Sequence, residues 1–142
     1  MLKHIDQCMT PQLLKILMEM GHGDEIAVVD GNFPAASHTI NCVRQDGNDT
    51  VQIIEAILKL MPLDTYVNHT AVLMMHGNEV QRPKIWDAYE QTIIKYENDF
   101  KPLYIQREHF YERSKKAYAI VATSDTALYA NIILKKGVIR PE

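Results

Sequence analysis

At 142 residues, 46% of them apolar and 23% charged, the chain has the size and composition of one globular domain that buries roughly two thirds of its unfolded surface, which excludes a disordered or fibrous protein. A net charge of -3 offers no basic field to phosphates and argues against a nucleic-acid partner or an anionic membrane surface. No apolar run reaches the roughly 18 residues of a membrane span, the opening MLKHIDQCMTPQ has no apolar signal core, and Cys8 and Cys42 lack CxxC spacing, so a cytoplasmic protein with reduced thiols is expected.

The first element is a helix over TPQLLKILMEMG. Thr10 stands as N-cap, Pro11 at the first helical position and Gly21 past the end, with Leu13, Leu14, Leu17 and Met20 on one face. EIAVVD follows as a short apolar run rich in β-branched residues, the pattern of a central strand covered on both faces. NDTVQIIEAILKLMP is a second helix, capped by Asn48 or Asp49, apolar at Val51, Ile54, Ile57, Leu58 and Met61, and stopped by Pro62. TAVLMMH reads as another buried strand. RPKIWDAYEQTIIKYEND reads as a helix begun by Pro83, with Ile85, Trp86, Tyr89, Ile93 and Tyr96 at helical spacing. PLYIQ, AYAIVATS and NIILKKG supply further strands, and REHFYERSKK a helical turn or two. Strands alternating with helices predict a single α/β domain over residues 1–142, three-layered, with a central, largely parallel or mixed sheet flanked by helices.

Polar residues collect at the ends of the predicted strands. Asp30 ends the first strand, where ligands of α/β sheets gather, and GNFPA after it constrains the loop; the same aspartate could equally cap a turn. His22 sits between two glycines in GHGD. It is either a proton donor and acceptor near neutral pH or a loop histidine without a duty. Arg107 and Tyr111, four apart, share one helical face, with internal salt bridges on a solvated helix as the alternative. Tyr129 and Asn131 open the last strand, where they could grip hydroxyls or close a turn. No Walker, GxGxxG or GxSxG motif occurs, and His22, Asp24, Asp30 and His38 show no familiar metal-ligand spacing. The residues alone describe an α/β protein with a polar pocket and neither cofactor nor metal.

Five motifs stand in order along nearly the whole chain: MGHGDEI at 20–26, DGNFPA at 30–35, RQDG at 44–47, REHFYERSKKAYAIV at 107–121 and YANIILKKG at 129–137. Together they resemble the RbsD/FucU family of ribose pyranases and fucose mutarotases, on its L-fucose mutarotase side. The resemblance implies an RbsD-like fold and a cofactor-independent isomerase that interconverts the α and β anomers of a free monosaccharide, L-fucose above all, by general acid-base ring opening and closing. D-ribose pyranase activity and a non-catalytic sugar sensor are the alternatives. It further implies that His22 is the proton donor and that Asp30, Arg107, Tyr129, Ala130 and Asn131 bind substrate, with Tyr111 and Tyr118 as added walls. Ala130 stands where the fucose branch often has glycine, Gly31 stands where alanine is common, and YANIIL is shared with the ribose branch, whereas Arg107 and FYER side with fucose.

The predicted strand puts His22 and Asp30 at its opposite ends, up to about 26 Å apart at about 3.3 Å per residue. One chain can hardly close such a site around a monosaccharide. A homo-oligomer is therefore expected, with His22 of one subunit reaching the sugar held by its neighbour; the resemblance implies that it is a ring, a decamer among its forms.

Overall fold

The computed structural model describes residues 1–78 and 81–141. Helices α1 (Pro11–Glu19), α2 (Ala35–His38), α3 (Thr50–Leu58), α4 (Ile85–Ile93) and α5 (Arg107–Lys116) alternate with strands β1 (Glu25–Val29), β2 (Cys42–Gln45), β3 (Ala71–Met74), β4 (Pro102–Ile105), β5 (Ala119–Thr123) and β6 (Ile132–Lys135). The strands form one sheet in the order β2-β5-β1-β6-β3-β4. β1, β2 and β5 run parallel, as do β3 and β4, while β6 lies antiparallel between β1 and β3. The sheet is therefore mixed, with a single reversed strand near its centre.

Because side chains alternate along a strand, the sheet feeds two cores. Ile26, Val28, Val121, Ile132 and Leu73 face one side, where Leu13 of α1, Ile53 and Ile57 of α3 and Tyr89 of α4 cover them. Ala27, Val29, Ile120 and Ile133 face the other, under Ala35 of α2, Phe110 of α5 and Phe33. Each large aliphatic side chain so buried contributes about 1.5–3 kcal/mol against leaving it in water. The three layers expected from the sequence are present, and β1, buried along nearly its whole length, occupies the interior position its composition implied.

Local chemistry sets the ends of the elements. Thr10 Oγ1 accepts from Leu13 N–H at 3.2 Å and Pro11 opens α1. Of the two possible caps of α3, Asp49 does the capping: its carboxylate accepts from Gln52 N–H while the Gln52 side chain takes the Asp49 N–H, a reciprocal box. α4 is shorter than the 82–99 pattern suggests. After Ile93 the chain closes in turns on the Ile93 carbonyl, which takes the N–H of Tyr96 and of Glu97, and the Glu97 carboxylate is drawn across to accept from Leu63 N–H at 2.8 Å. α5 is longer than a turn or two, because Phe110 and Ser114 are buried against the sheet although the rest of its surface is charged. Two elements the periodicity does not show are α2, a single turn, and β2, an edge strand in which only Val43 and Gln45 are buried.

Candidate active site

The reversal of β6 decides where polar groups meet. The residues that leave β1, β3 and β4 and the residues that enter β6 all arrive at the same edge of the sheet, and a cavity of about 310 Å³ opens there. Asp30 and Asn131 form its floor, Arg107 and Tyr111 of α5 one side, and Phe33, Met74 and Leu128 give it apolar walls.

The floor is a two-way clamp between residues 101 positions apart. Asp30 N–H donates to Asn131 Oδ1 at 3.0 Å, and Asn131 Nδ2 donates to Asp30 Oδ2 at 2.8 Å. Asn32 N–H donates to the other carboxylate oxygen, Oδ1, at 2.9 Å. The turn-forming reading of Asp30 is thus realised together with its place in the cavity. Asp30 is 7% exposed. Burial pushes its carboxyl above the ordinary value, the bonds from Asn32 and Asn131 oppose that without cancelling it, and the charge of Asp125 adds to the rise. Each oxygen already holds one donor and retains acceptor capacity toward the cavity.

Below the floor, Asp125 ties the loop after β5 to α3. Its carboxylate accepts from Thr50 N–H at 3.0 Å and Thr50 Oγ1–H at 2.6 Å, and Thr50 Oγ1 accepts in turn from Tyr89 at 2.8 Å. The Asp125 carbonyl takes Gly31 N–H at 2.9 Å, which fixes the backbone directly after Asp30.

The walls come from elements in different states of constraint. Arg107 and Tyr111 line the cavity together, as their four-residue spacing implied, and Arg107 is exposed with Glu108 at 3.6 Å. Tyr111 meets Phe33 edge-on at 5.2 Å and His38 at 5.1 Å. Tyr129 lines the cavity from a left-handed backbone with φ 60°, so it precedes β6 as a turn residue rather than opening the strand. Ala130 is fully buried in the core; its side chain is absent from the lining. Tyr118 lies at the opposite edge of the sheet, where its hydroxyl donates to Glu19 at 3.0 Å.

His22 also lies at that opposite edge, in the loop before β1. Gly23 takes a positive φ there, and its N–H donates to Lys136 at 2.8 Å. His22 Nε2 is 3.2 Å from Asp64 Oδ1, and the imidazole rests against Tyr66 at 5.7 Å. Asp64 is 3% exposed. Burial alone would raise its carboxyl, but Tyr66 N–H at 2.9 Å and the His22 ring hold it below the ordinary value, with Lys135 assisting. An ionised carboxylate only accepts, so Nε2 carries the proton of this pair and Nδ1 faces away from it. The five residues of β1 separate this imidazole from Asp30 by on the order of 15 Å.

The structure thus brings Asp30, Arg107, Tyr111, Tyr129 and Asn131 together and leaves His22 and the side chain of Ala130 elsewhere. It adds Asn32, Phe33, Met74 and Leu128 to the cavity and Asp64 to the histidine. Phe33 and Asn32 lie within the GNFPA loop, while the pairing of His22 with Asp64 spans 42 positions and leaves no local pattern. The metal candidates are dispersed: His22 is on Asp64, Asp24 accepts from Gly21 N–H, Asp30 is clamped by Asn131, and His38 stands behind Phe33. Among the described residues no three His, Cys, Asp or Glu side chains gather as a metal set.

The same architecture is found in proteins already characterised. A crystal structure of the fucose mutarotase of Streptococcus pneumoniae in complex with L-fucose superposes with a TM-score of 0.94 at 53% identity, over 98% of this chain and 100% of that one. The fucose mutarotase of Danio rerio is 44% identical over 99% of this chain and 96% of its own length, and that of Homo sapiens 45% identical over 97% and 94%. A sequence model of one family matches residues 3–139, nearly everything from the first helix past the last strand, and the chain belongs to the RbsD / FucU transport protein family.

Proposed function

We propose that the protein is a cofactor-independent isomerase, one sugar mutarotase domain, that interconverts the α and β anomers of free L-fucose. The cavity at the Asp30 edge carries this reading. Its floor and one side are a carboxylate, an amide and a guanidinium able to pair with hydroxyls, while Phe33, Met74 and Leu128 provide the apolar surface that the C5 methyl of a 6-deoxy sugar requires. D-ribose has no such methyl. Full-length likeness to fucose mutarotases, including one seen with L-fucose, supports the same substrate.

Ring opening breaks the C1–O5 bond, places a proton on O5 and removes one from the anomeric hydroxyl as C1–O1 becomes the aldehyde; closure on the other face of C1 reverses both transfers. His22 acts as an imidazolium: Nε2–H stays on Asp64, the Nδ1 proton goes to O5, and the proton of the anomeric hydroxyl is released to water. General acid-base assistance of this kind contributes about 10²- to 10⁴-fold. Because β1 holds His22 away from the cavity of its own chain, the histidine comes from an adjacent copy in a homo-oligomeric ring, and the sugar lies between subunits. The two cysteines are unpaired, which suits a reducing cytoplasm. No described helix is long and apolar enough to cross a membrane.

Saturation-transfer NMR on the anomeric protons of L-fucose tests the reaction. Exchange between anomers accelerated by the protein, and less so for D-ribose, is the expected result; no acceleration with L-fucose refutes it, and faster exchange of D-ribose reassigns the substrate. For the shared site, inactive His22→Ala and Asp30→Ala proteins are dissociated, mixed and reassembled. Activity should return in the hybrids, and its failure to return rules out a histidine lent by a neighbour.

A further inference from the structure

We propose that Trp86 is a positioning residue of the sugar cavity: its indole N–H holds the Tyr129 carbonyl, and with it the left-handed backbone that lets Tyr129 line the cavity. This rests on the reading of that cavity as the sugar site.

A tyrosine at φ 60° occupies a region that L-residues seldom enter, so its neighbours must hold it there. Three contacts do so. Trp86 Nε1–H donates to Tyr129 O at 3.2 Å, Gly77 N–H lies 3.5 Å from the Tyr129 hydroxyl, and Ala130, next in the chain, is locked in the core. The indole bond is the strongest of these constraints, because Trp86 is only 3% exposed and its N–H would be left buried and unpaired if the carbonyl turned away. Trp86 itself is fixed at the start of α4. Its ring meets Tyr104 of β4 at 5.2 Å and His76 at 5.4 Å, the Arg82 guanidinium stands 6.0 Å from it, and His76 in turn faces Tyr129 at 6.2 Å.

Trp86 is not part of the cavity lining, so it acts on a sugar only through Tyr129. Tyr129 lies two residues before Asn131, the partner of Asp30; one indole N–H therefore sets both the tyrosine wall and the approach of the chain to the clamp. Phenylalanine in its place keeps most of the apolar contact and loses the donor.

The experiment measures KM and kcat for L-fucose anomer exchange in the intact protein, in Trp86→Phe, in Tyr129→Gly and in the double variant. Trp86→Phe should raise KM about three- to tenfold, the worth of one net hydrogen bond, with kcat within about twofold. Glycine enters positive φ freely and has no ring to place, so adding Trp86→Phe to Tyr129→Gly should change KM by less than about twofold. An unaltered KM in folded Trp86→Phe, or an equal rise in both backgrounds, overturns the assignment. Should Trp86→Phe not fold, the wild type decides. Trp86 is the sole tryptophan, so its indole proton gives a single NMR signal, and by linkage L-fucose should slow its solvent exchange by about fivefold or more. Unchanged exchange of that proton on saturation with L-fucose also overturns it. A wild type inactive toward L-fucose takes the sugar-site reading down as well, whereas an active wild type with an indifferent Trp86→Phe refutes Trp86 alone.

Discussion

The two ends of the sheet hold the buried aspartates Asp30 and Asp64, and their surroundings drive the two carboxyls in opposite directions. Asp30 takes hydrogen bonds from a backbone N–H and a neutral amide, and burial still prevails, so its proton is held more tightly than usual. Asp64, buried at least as deeply, takes a backbone N–H and an imidazole with Lys135 nearby, and its proton is held less tightly. Burial raises both carboxyls: at Asp64 the hydrogen bonds and the nearby cations outweigh it, at Asp30 the bonds from neutral groups do not, and at Asp125 the bonds from Thr50 and Ala127 outweigh it without any cation. One end thus holds a carboxyl raised by burial, the other a carboxyl held low that accepts from a histidine.

Removing the imidazole should have the largest effect. His22→Ala should slow L-fucose anomer exchange about 10²- to 10⁴-fold and, by taking a partner from the buried Asp64 carboxylate, lower stability by about 1 kcal/mol; an active variant would remove proton transfer from this edge. Asp64→Asn should cost about 10- to 100-fold in exchange by releasing the ring orientation, a range taken from partners that orient a ligating or catalytic histidine. Asn131→Ala strands both the Asp30 N–H and one carboxylate oxygen. Denaturant unfolding should show a loss of about 1–3 kcal/mol, and unchanged stability would mean the clamp is not closed in solution.

The smallest effects concern pH and separate the two acids most directly. The native Asp64 carboxyl lies below its ordinary 3.8, so its contribution to stability is full above that value and disappears as pH falls through the native one; the melting temperature of Asp64→Asn relative to wild type should therefore fall as pH rises through this range. Asp30 lies above its ordinary 3.8, so native protein loses stability as pH rises from there through the native value, and Asp30→Asn should gain on wild type over that interval. Thermal melts of both variants across the acid range would show slopes of opposite sign. Parallel slopes would erase the distinction between the edges.

What was legible in the sequence follows the range of the interactions. α1, β1 and α3 are written in local terms, a cap, a run or a period of apolar residues, and they stand where those terms put them. The Arg107 and Tyr111 pair is local too, one helical turn apart, and both residues reach the cavity. β2 was invisible because an edge strand of four residues with one buried aliphatic has no pattern to show. α5 outruns the turn or two its sequence suggests because Phe110 and Ser114 anchor a helix that is otherwise charged. The clamp of Asp30 by Asn131 and the contact of His22 with Asp64 join residues far apart in the chain, and nothing in either stretch names its partner. The left-handed Tyr129 had no glycine or asparagine to announce it.

The reversed strand has a consequence for biosynthesis. β1 is synthesised before both of its neighbours in the sheet, β5 and β6, which follow more than ninety positions later by the registers Ile26↔Ala119 and Glu25↔Lys135. Until then the apolar run of β1 has no lasting cover, and such long-range pairing is slow. The nascent chain thus presents Ile26-Ala27-Val28-Val29 as a sticky segment while those intervening residues are made, the kind of stretch a holding chaperone would grip.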